Sequence, residues 1–183
     1  MSDVMNPLEV PPIERPDWPR HAKGEYPILV AVQFDETGHV ALDQAILLAA
    51  THGHAPLHVA HVVADTDVSG RGSALDRKEY ALDDAQDKLR DWVNARLGEN
   101  ALPVQCHVRM GDVVETLFQL ALDYDAEVIV VGTHGRKGIK RFAFGSIAQK
   151  LVAEARCPVL IASPRDYAGM SVTLIPDPPK PGG

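Results

Sequence analysis

The segment best equipped for chemistry is Val131–Ser146, VGTHGRKGIKRFAFGS, which leaves an apolar run and enters a helical pattern. Three of its four glycines, at 132, 135 and 145, flank the strand exit and the helix start, where a ligand can approach the backbone N–H groups because no Cβ stands in the way. A helix N-terminus beside such a loop favours anions through its unpaired N–H groups and its dipole. Four cations lie in the same loop: Arg136, Lys137, Lys140 and Arg141. The pattern therefore indicates a site for a phosphate-bearing ligand.

The same residues also have a purely structural interpretation. Ser146 and Gln149 fit the S-x-x-Q capping box, which alone would explain both residues. The four cations could equally form a solvated loop face. The P-loop sequence GxxxxGK[ST] does not occur, so the lysine geometry of that motif is not expected. From the spacing alone, phosphate binding and a structural loop both stay open.

Histidines cluster in the segment THGHAPLHVAH, but their spacing argues against a metal centre. His52 and His54 fall in a predicted helix-to-strand turn. His58 and His61 are three residues apart on a predicted strand and therefore face opposite sides of it. His134, in the glycine-rich loop, has no serine or cysteine nucleophile placed beside it by sequence. We accordingly predict neither a metal site nor a catalytic residue.

The elements that must position the loop are readable from hydrophobic periodicity. Apolar, β-branched runs of strand length alternate with segments whose apolar residues recur three and four apart, which predicts a doubly wound α/β sheet of parallel strands. The longest helical segment predicts one buried stripe through Leu75, Leu82, Ala85, Leu89, Val93 or Trp92, and Leu97. The predicted strands are Pro27–Val32, Leu57–Val63, Val104–Val108, Val128–Val131 and Val159–Ala162.

These segments together resemble the universal stress protein family. Gly132-x2-Gly135-x9-Gly145-Ser146 matches the family signature G-2x-G-9x-G-(S/T), and the likeness spans about residues 26–162. It includes the opening strand ILVAV, HVV in the second strand, Gly111-Asp112, VIVVGTHGR and the closing CPVLIA. The resemblance implies one Rossmann-like domain of the adenine nucleotide alpha hydrolase type, with a five-stranded sheet in the order 3-2-1-4-5. It also implies ATP or AMP as ligand, with or without magnesium, and a role in stress response or regulation with little or no rapid catalysis.

The resemblance carries a binding site onto particular residues. It implies that the glycines of the signature and Ser146 hold the phosphates and ribose, with Ile147 following on the helix. Val62 is expected to contact the adenine and Val131 to line the base of the cleft. The whole implied set is Ala31, Gln33, Val62, Val131, Gly132, Gly135, Arg136, Gly145, Ser146 and Ile147.

The chain departs from the family pattern where the first strand ends. Nucleotide-binding members usually carry an aspartate there, whereas this sequence has Gln33, which can still form hydrogen bonds but without the strength of a charged group. Asp35 follows in the loop, and either compensates or only starts the helix. Ala148 is a second departure, since some members offer a hydroxyl there. Two further functions therefore stay open: a nucleotide-free interaction protein of the same fold, and a slow ATP hydrolase.

Composition and charge limit the classes of partner and the cellular compartment that we expect for this chain. The 183 residues include 18 Lys and Arg against 25 Asp and Glu, a net charge of −7, which disfavours sequence-independent nucleic-acid binding. No apolar run approaches the roughly 20 residues of a membrane span. The first residues, MSDVMNPLEVPPIERPDWPR, contain early acids and prolines rather than the basic start and apolar stretch of a signal peptide, so we expect a cytoplasmic protein.

Prolines concentrate towards both ends of the chain and divide it into three parts. We expect an extended arm over residues 1–25, the domain over 26–165, and a tail over 166–183 with a strand-like stretch at 171–175. The fifth strand is expected to be an apolar sheet edge, which a twofold partner could cover by pairing the same strand antiparallel. We therefore predict a homodimer through the fifth strand, with the tail reinforcing it.

Overall fold

A computed structural model describes residues 26–64, 73–98, 102–133 and 145–164. Strands and helices alternate along the chain, in the order predicted from the hydrophobic pattern. The elements are β1 (Ile28–Ala31), α1 (Glu36–Thr51), β2 (Leu57–Val63), α2 (Ala74–Leu97), β3 (Val104–Met110), α3 (Val113–Asp123), β4 (Val128–Gly132), α4 (Ser146–Glu154) and β5 (Val159–Ala162). None of the helices in the described ranges has both the length and the apolarity needed to cross a membrane.

The five strands form one parallel sheet in the order β3-β2-β1-β4-β5, which confirms the predicted fold class. β1 and β4 lie at the centre, and their residues are buried almost completely because helices cover both faces of the sheet. Among the described residues, β3 and β5 form the two edges of the sheet. Cys106 lies in β3 and Cys157 precedes β5; both thiols are free, and burial raises the pKa of each.

The sheet separates two hydrophobic cores. Helices α1 and α2 pack on one face, where Leu42 and Leu89 are fully buried against Val30 and Val59 of the central strands. Helices α3 and α4 pack on the other face, where Leu117 and Leu151 are fully buried with Ile129. The carboxyl edge of the sheet is thereby held between two rigid layers.

In the described part of the chain, side-chain caps begin three of the four helices. Asp35 accepts a hydrogen bond from the N–H of Gly38, and Asp112 accepts from the N–H groups of Val114 and Glu115. The bonds at Asp112 also lower the pKa of its carboxyl group. Ser73 forms a reciprocal capping box at the start of α2. Each cap satisfies N–H groups that a helix start otherwise leaves without partners.

The predicted apolar stripe of α2 is correct at its C-terminal end and wrong at its beginning. Ala85, Leu89, Val93 and Leu97 are buried, whereas Leu75 is 73% exposed. Leu75 is exposed because α2 is longer than the strand beside it. A helix of 24 residues is about 36 Å long, but the seven-residue strand β3 beside it spans only about 23 Å, so the first turns of α2 extend past the sheet.

Candidate functional site

The carboxyl ends of β1 and β4 lie side by side at the centre of the sheet. Ala31 and Val131 are Cα partners there, and β1 lies between β2 on one side and β4 on the other, so the direction in which successive strands are added reverses at β1. This reversal of strand order is the place where doubly wound sheets open a crevice for ligands. The structure thus brings together two of the predicted site residues, Ala31 and Val131.

Two glycines hold the start of α1 tightly against this edge. A Cβ on Gly132, at the end of β4, would overlap the carbonyl oxygen of Thr37 in the first turn of α1. A Cβ on Gly38 would in the same way overlap the carbonyl oxygen of Gln33. Helix–strand packing therefore explains why Gly132 is a glycine, independently of any ligand.

A cleft of about 430 Å³ opens where β1 and β2 end. Gln33 and Val62, both predicted site residues, line it, and Gln33 is exposed whereas Val62 is half-buried. The volume falls within the range of small-molecule sites, which hold ligands in roughly 300–1,000 Å³. The other lining residues within the described ranges come from the β1–α1 connection, β2 and α2: Phe34, His61, Val63, Ala81, Asp84, Ala85 and Lys88.

Aromatic rings form one wall of the cleft. The Phe34 ring lies over the His61 ring, with centroids 4.4 Å apart, and meets the Trp92 ring edge-on at 6.1 Å. His61 is oriented by a 3.0 Å contact from its Nδ1 to the carbonyl oxygen of Val32. Since a carbonyl only accepts, Nδ1 carries the proton in this contact. Trp92 also packs on His39, which ties the wall to α1 and α2.

An ion pair lies on the α2 side of the cleft. Lys88 Nζ donates to Asp84 Oδ2 at 2.6 Å, one helical turn apart, and this bond raises the pKa of Lys88. Both side chains are largely exposed, so the pair adds little to stability. Because the two charges are opposite, the pair adds no net charge to the α2 side of the cleft.

The start of α4 differs from the capping-box prediction. Gly145 is the N-cap, Ser146 is the first helical residue, and no side chain of the described residues caps the helix. The capping interpretation of Ser146 and Gln149 is therefore wrong: the register is shifted by one residue, and the hydroxyl sits inside the first turn. Gly145 and Ser146 are exposed and Ile147 is half-buried.

The structure does not unite all predicted site residues in one described cavity. The cleft beside Gln33 and Val62 is lined on the α2 side, whereas α4 packs on the opposite face of the sheet. Gly135 and Arg136, together with His134 and the other loop cations, lie outside the described residues. The loop that connects β4 to α4 is thus the part of the predicted site on which the structure gives no geometry.

Of the two roles considered for Asp35, the structure shows that it caps the start of α1. Its carboxylate accepts from the N–H of Gly38 at 3.0 Å and from the Thr37 hydroxyl at 2.7 Å. Asp35 is also absent from the described lining of the cleft, to which Gln33 contributes an amide.

The histidines are arranged as strand periodicity predicts. His61 packs with Phe34 on the α2 side, and His58 packs with Tyr124 at the end of α3 on the other. Within the described ranges, no three His, Cys, Asp or Glu side chains converge as a metal site would require.

Sequence reasoning missed two features of the site region. Phe34 and Lys88 line the cleft although no motif singles them out, and His107 pairs with His58 from 49 residues away. The pairing depends on the register of β2 with β3, in which Ala60 is the Cα partner of His107. Periodicity gives the face of a strand but not its register, so only an assumed alignment of the two strands could have suggested the pair.

The fold and the crevice at the strand reversal define a doubly wound α/β domain of the ligand-binding kind. The family model described as "Universal stress protein family" matches residues 26–163. The chain belongs to the universal stress protein family.

Individual relatives agree with this assignment. A universal stress protein of Thermus aquaticus is 31% identical over 137 residues, which cover 72% of this chain and 96% of that protein. The universal stress protein Sll1388 of Synechocystis is 26% identical over 87 residues, 46% of this chain and 56% of the relative. The chain thus spans little more than half the length of some relatives that it matches.

Solved structures share the fold. A universal stress family protein from Burkholderia pseudomallei superposes with a TM-score of 0.58 at 29% identity, covering 77% of this chain and 98% of that one. A universal stress protein in complex with cAMP gives 0.54 at 20% identity, with coverage of 76% and 98%. The protein from Archaeoglobus fulgidus in complex with dAMP gives 0.50 at 19% identity, again with coverage of 76% and 98%.

Proposed function

We propose that this chain binds an adenine nucleotide, ATP or AMP, at the carboxyl edge of its sheet. The observation that carries the proposal is the cleft of about 430 Å³ at the ends of β1 and β2, next to the strand reversal and lined by Gln33 and Val62. Two proteins of the same fold bind adenine nucleotides, cAMP in one and dAMP in the other, which supports the ligand class.

The base and the ribose would occupy the cleft. Val62 lies at the carboxyl end of β2, where the resemblance assigns it the contact with adenine, and the Gln33 amide can both donate and accept hydrogen bonds. The Phe34 ring, tilted against that of His61, gives the base an aromatic neighbour with which it can form an offset or edge contact. Ala31 and Val131 would form the floor, where the two central strands end together.

The phosphates would extend toward α4. No described side chain caps the start of α4, where the N–H groups of a first helical turn can bind an anion, and the Ser146 hydroxyl is the first side chain of that helix. Gly145 has no described atom within 4 Å of the position that a Cβ would occupy, so the approach to this helix start is open. We assign Gly132, Gly135, Arg136 and Ile147 to the same phosphate region on the family signature. Magnesium, if used, would enter with the triphosphate.

The proposed role is regulatory binding rather than rapid turnover. The sequence supplies binding groups at this edge but no evident general base or carboxylate pair beside the loop. We expect any ATP hydrolysis to be far slower than the typical enzyme rate of about 10 per second. We further propose that the protein acts in the stress response in the cytoplasm and that it assembles as a homodimer through β5.

The ligand that accompanies the purified protein tests the proposal. We expect mass spectrometry of the supernatant from denatured full-length protein to find AMP or ATP in near-stoichiometric amount after gentle purification. A second arm adds AMP to nucleotide-stripped protein and follows Trp92, whose ring contacts Phe34 at the cleft, in a Trp18→Phe background that leaves one tryptophan. No co-purified nucleotide and no change in Trp92 emission up to millimolar AMP would favour the nucleotide-free interaction protein instead.

A further inference from the structure

Two buried histidines meet on the side of the sheet that faces α3. His58 of β2 is 5% exposed and His107 of β3 is 6% exposed. His58 Nδ1 lies 3.0 Å from His107 Nε2, and the two rings are nearly parallel, with an interplanar angle of 15°. The nitrogen separation is that of a direct hydrogen bond between the two imidazoles.

Tyr124 covers both rings. Its centroid is 4.3 Å from that of His58 and 4.5 Å from that of His107. Tyr124 is the C-cap of α3, and its backbone N–H donates to the Leu120 carbonyl. The pair therefore joins an edge strand, its neighbouring strand and the last turn of a helix.

The bond between the imidazoles depends on the proton count. A neutral histidine has one N–H and one acceptor nitrogen, so two neutral rings form one N–H···N bond. One added proton leaves that bond possible but places a positive charge in a buried, apolar setting, which is costly. A second added proton turns two N–H groups toward each other and places two like charges about 3 Å apart.

The surroundings offer the charged pair little compensation. On the same face, β3 contributes Arg109, which is cationic, and the uncharged Gln105. On β2 the neighbours are Ala60 and Val62, and the buried side of α3 consists of Val114, Leu117 and Leu120. Asp123 accepts from the Gln119 amide, and Asp125 lies in the turn after Tyr124.

The pKa values agree with this geometry. Burial, then the charge of His58 and then that of Arg109 lower the pKa of His107 to about 4. Burial also lowers the pKa of His58. Neither Asp123 nor Asp125 contributes to either shift.

We propose that the His58–His107 pair is an acid-sensitive switch: its protonation detaches Tyr124 and the C-terminal end of α3 from β2 and β3. The carboxyl edge of β1 and β4 does not depend on the pair, because the packing of Gly132 on the start of α1 holds that edge. The switch is thus separate from the nucleotide site and does not rest on the proposed function.

The direction of the effect follows from proton linkage. A histidine whose pKa is about 4 when folded and about 6.5 when unfolded binds its proton more tightly in the opened state. Its stabilising effect is complete above pH 6.5 and is lost as the pH falls from there toward 4. From pH 7 to pH 4.5, His107 alone should increase the opening constant about 50-fold.

Hydrogen exchange of the full chain tests where the opening occurs. After correction for intrinsic exchange rates, we expect the amides of Tyr124 and Ala126 to lose about 50-fold protection between pH 7 and pH 4.5. The amide of Val32, bonded to the Ala60 carbonyl at the centre of the sheet, exchanges only through larger openings, so it should stay better protected than Tyr124 and Ala126 at both pH values. Equal protection of all three amides at pH 4.5, or no loss at Tyr124 and Ala126, would overturn the switch.

A matched pair of variants tests whether the histidines cause it. His107→Gln keeps a hydrogen-bonding side chain without a titrating group, and should abolish most of the pH-dependent loss at Tyr124. His54→Asn changes an exposed histidine with a left-handed φ of 62°, a conformation that asparagine tolerates, and should leave the loss unchanged. An identical pH dependence in His107→Gln and the unaltered chain would overturn the proposal.

An NMR titration of the unaltered protein keeps the proposal testable if His107→Gln does not fold. We expect the His107 ring to stay neutral until about pH 4, and one ring of the pair to carry its proton on the nitrogen facing the other. Titration of His107 near pH 6.5 while α3 stays in place would contradict the inference.

Discussion

At the scale of single residues, the neutral amide of Gln33 distinguishes this cleft from that of nucleotide-binding relatives with an aspartate there. We expect Gln33→Asp to tighten AMP binding about fivefold, because a carboxylate accepts a hydrogen bond from a ribose hydroxyl more strongly than an amide does. Isothermal titration calorimetry on nucleotide-stripped protein measures the change.

Asn94→Asp is the matched control for this substitution. It adds the same charge on the exposed surface of α2, away from the cleft lining, and should leave the affinity within twofold of the original. Equal affinities for Gln33→Asp and the unaltered chain would mean that Gln33 does not contact the nucleotide.

The glycines at the two ends of the β4–α4 connection should respond differently to substitution. Gly132→Ala should destabilise the fold by about 3 kcal/mol, because its Cβ would overlap the backbone carbonyl of Thr37. Gly145→Asn should preserve stability to within about 0.5 kcal/mol, because asparagine is a good N-cap and a Cβ there meets no described atom within 4 Å.

The second expected effect of Gly145→Asn is a change in nucleotide affinity. Gly145→Asn should weaken AMP binding about tenfold or more, since its side chain occupies the approach to the helix start. Urea denaturation and calorimetry on the same samples separate the two effects. Unchanged affinity in a stably folded Gly145→Asn protein would remove Gly145 from the proposed phosphate region.

At the scale of elements, the backbone groups of β5 point alternately toward β4 and away from the sheet. The carbonyls of Pro158 and Ala162 accept from Ile129 and Thr133, the residue after β4. In a parallel pair, alternate residues direct their backbone groups to the same neighbour, so Leu160 also points to β4. The backbone groups of Val159 and Ile161 consequently point away from the sheet, where a second copy of the chain could pair.

This alternation gives a specific test of the proposed dimer. Ile161→Pro removes an outward N–H and should shift the mass measured by light scattering from a dimer toward the monomer value of 19.9 kDa, with the fold retained. Leu160→Pro removes an inward N–H and should instead destabilise the β4–β5 pairing. A monomer in the unaltered protein at micromolar concentration, or an undiminished dimer in Ile161→Pro, would contradict pairing through β5.

The elements themselves were predictable because hydrophobic period and capping chemistry are local. The predicted strands Leu57–Val63 and Val159–Ala162 coincide with β2 and β5. The family signature extended this prediction to the strand order, which a local pattern does not contain. The observed sheet has the strand order that the resemblance implied.

What the sequence did not predict depends on distances along and between elements. Leu75 fits the apolar stripe of α2, yet it lies beyond the end of the sheet and is exposed. The start of α4 is one residue earlier than the capping motif suggested, because Gly145 takes the N-cap position. His58 and His107 meet only because of the register between β2 and β3.

At the scale of the whole molecule, an acidic chain of net charge −7 carries four cations in the single loop that follows β4. Such a local concentration of positive charge opposes the field of the remaining protein and would attract a phosphate-bearing ligand to one edge of the sheet. The cleft at Gln33 and Val62 lies at the same carboxyl edge. Nucleotide binding at that edge is the central claim of this account.

Isothermal titration calorimetry of the full-length, nucleotide-stripped chain tests the claim most directly. Titrations with ATP, ADP and AMP, each with and without magnesium, should give saturable heat with a stoichiometry near one per chain for ATP or AMP. GTP is the matched control and should bind more weakly if the base is recognised in the cleft. Absence of heat with every adenine nucleotide at millimolar concentration, with and without magnesium, would contradict the claim.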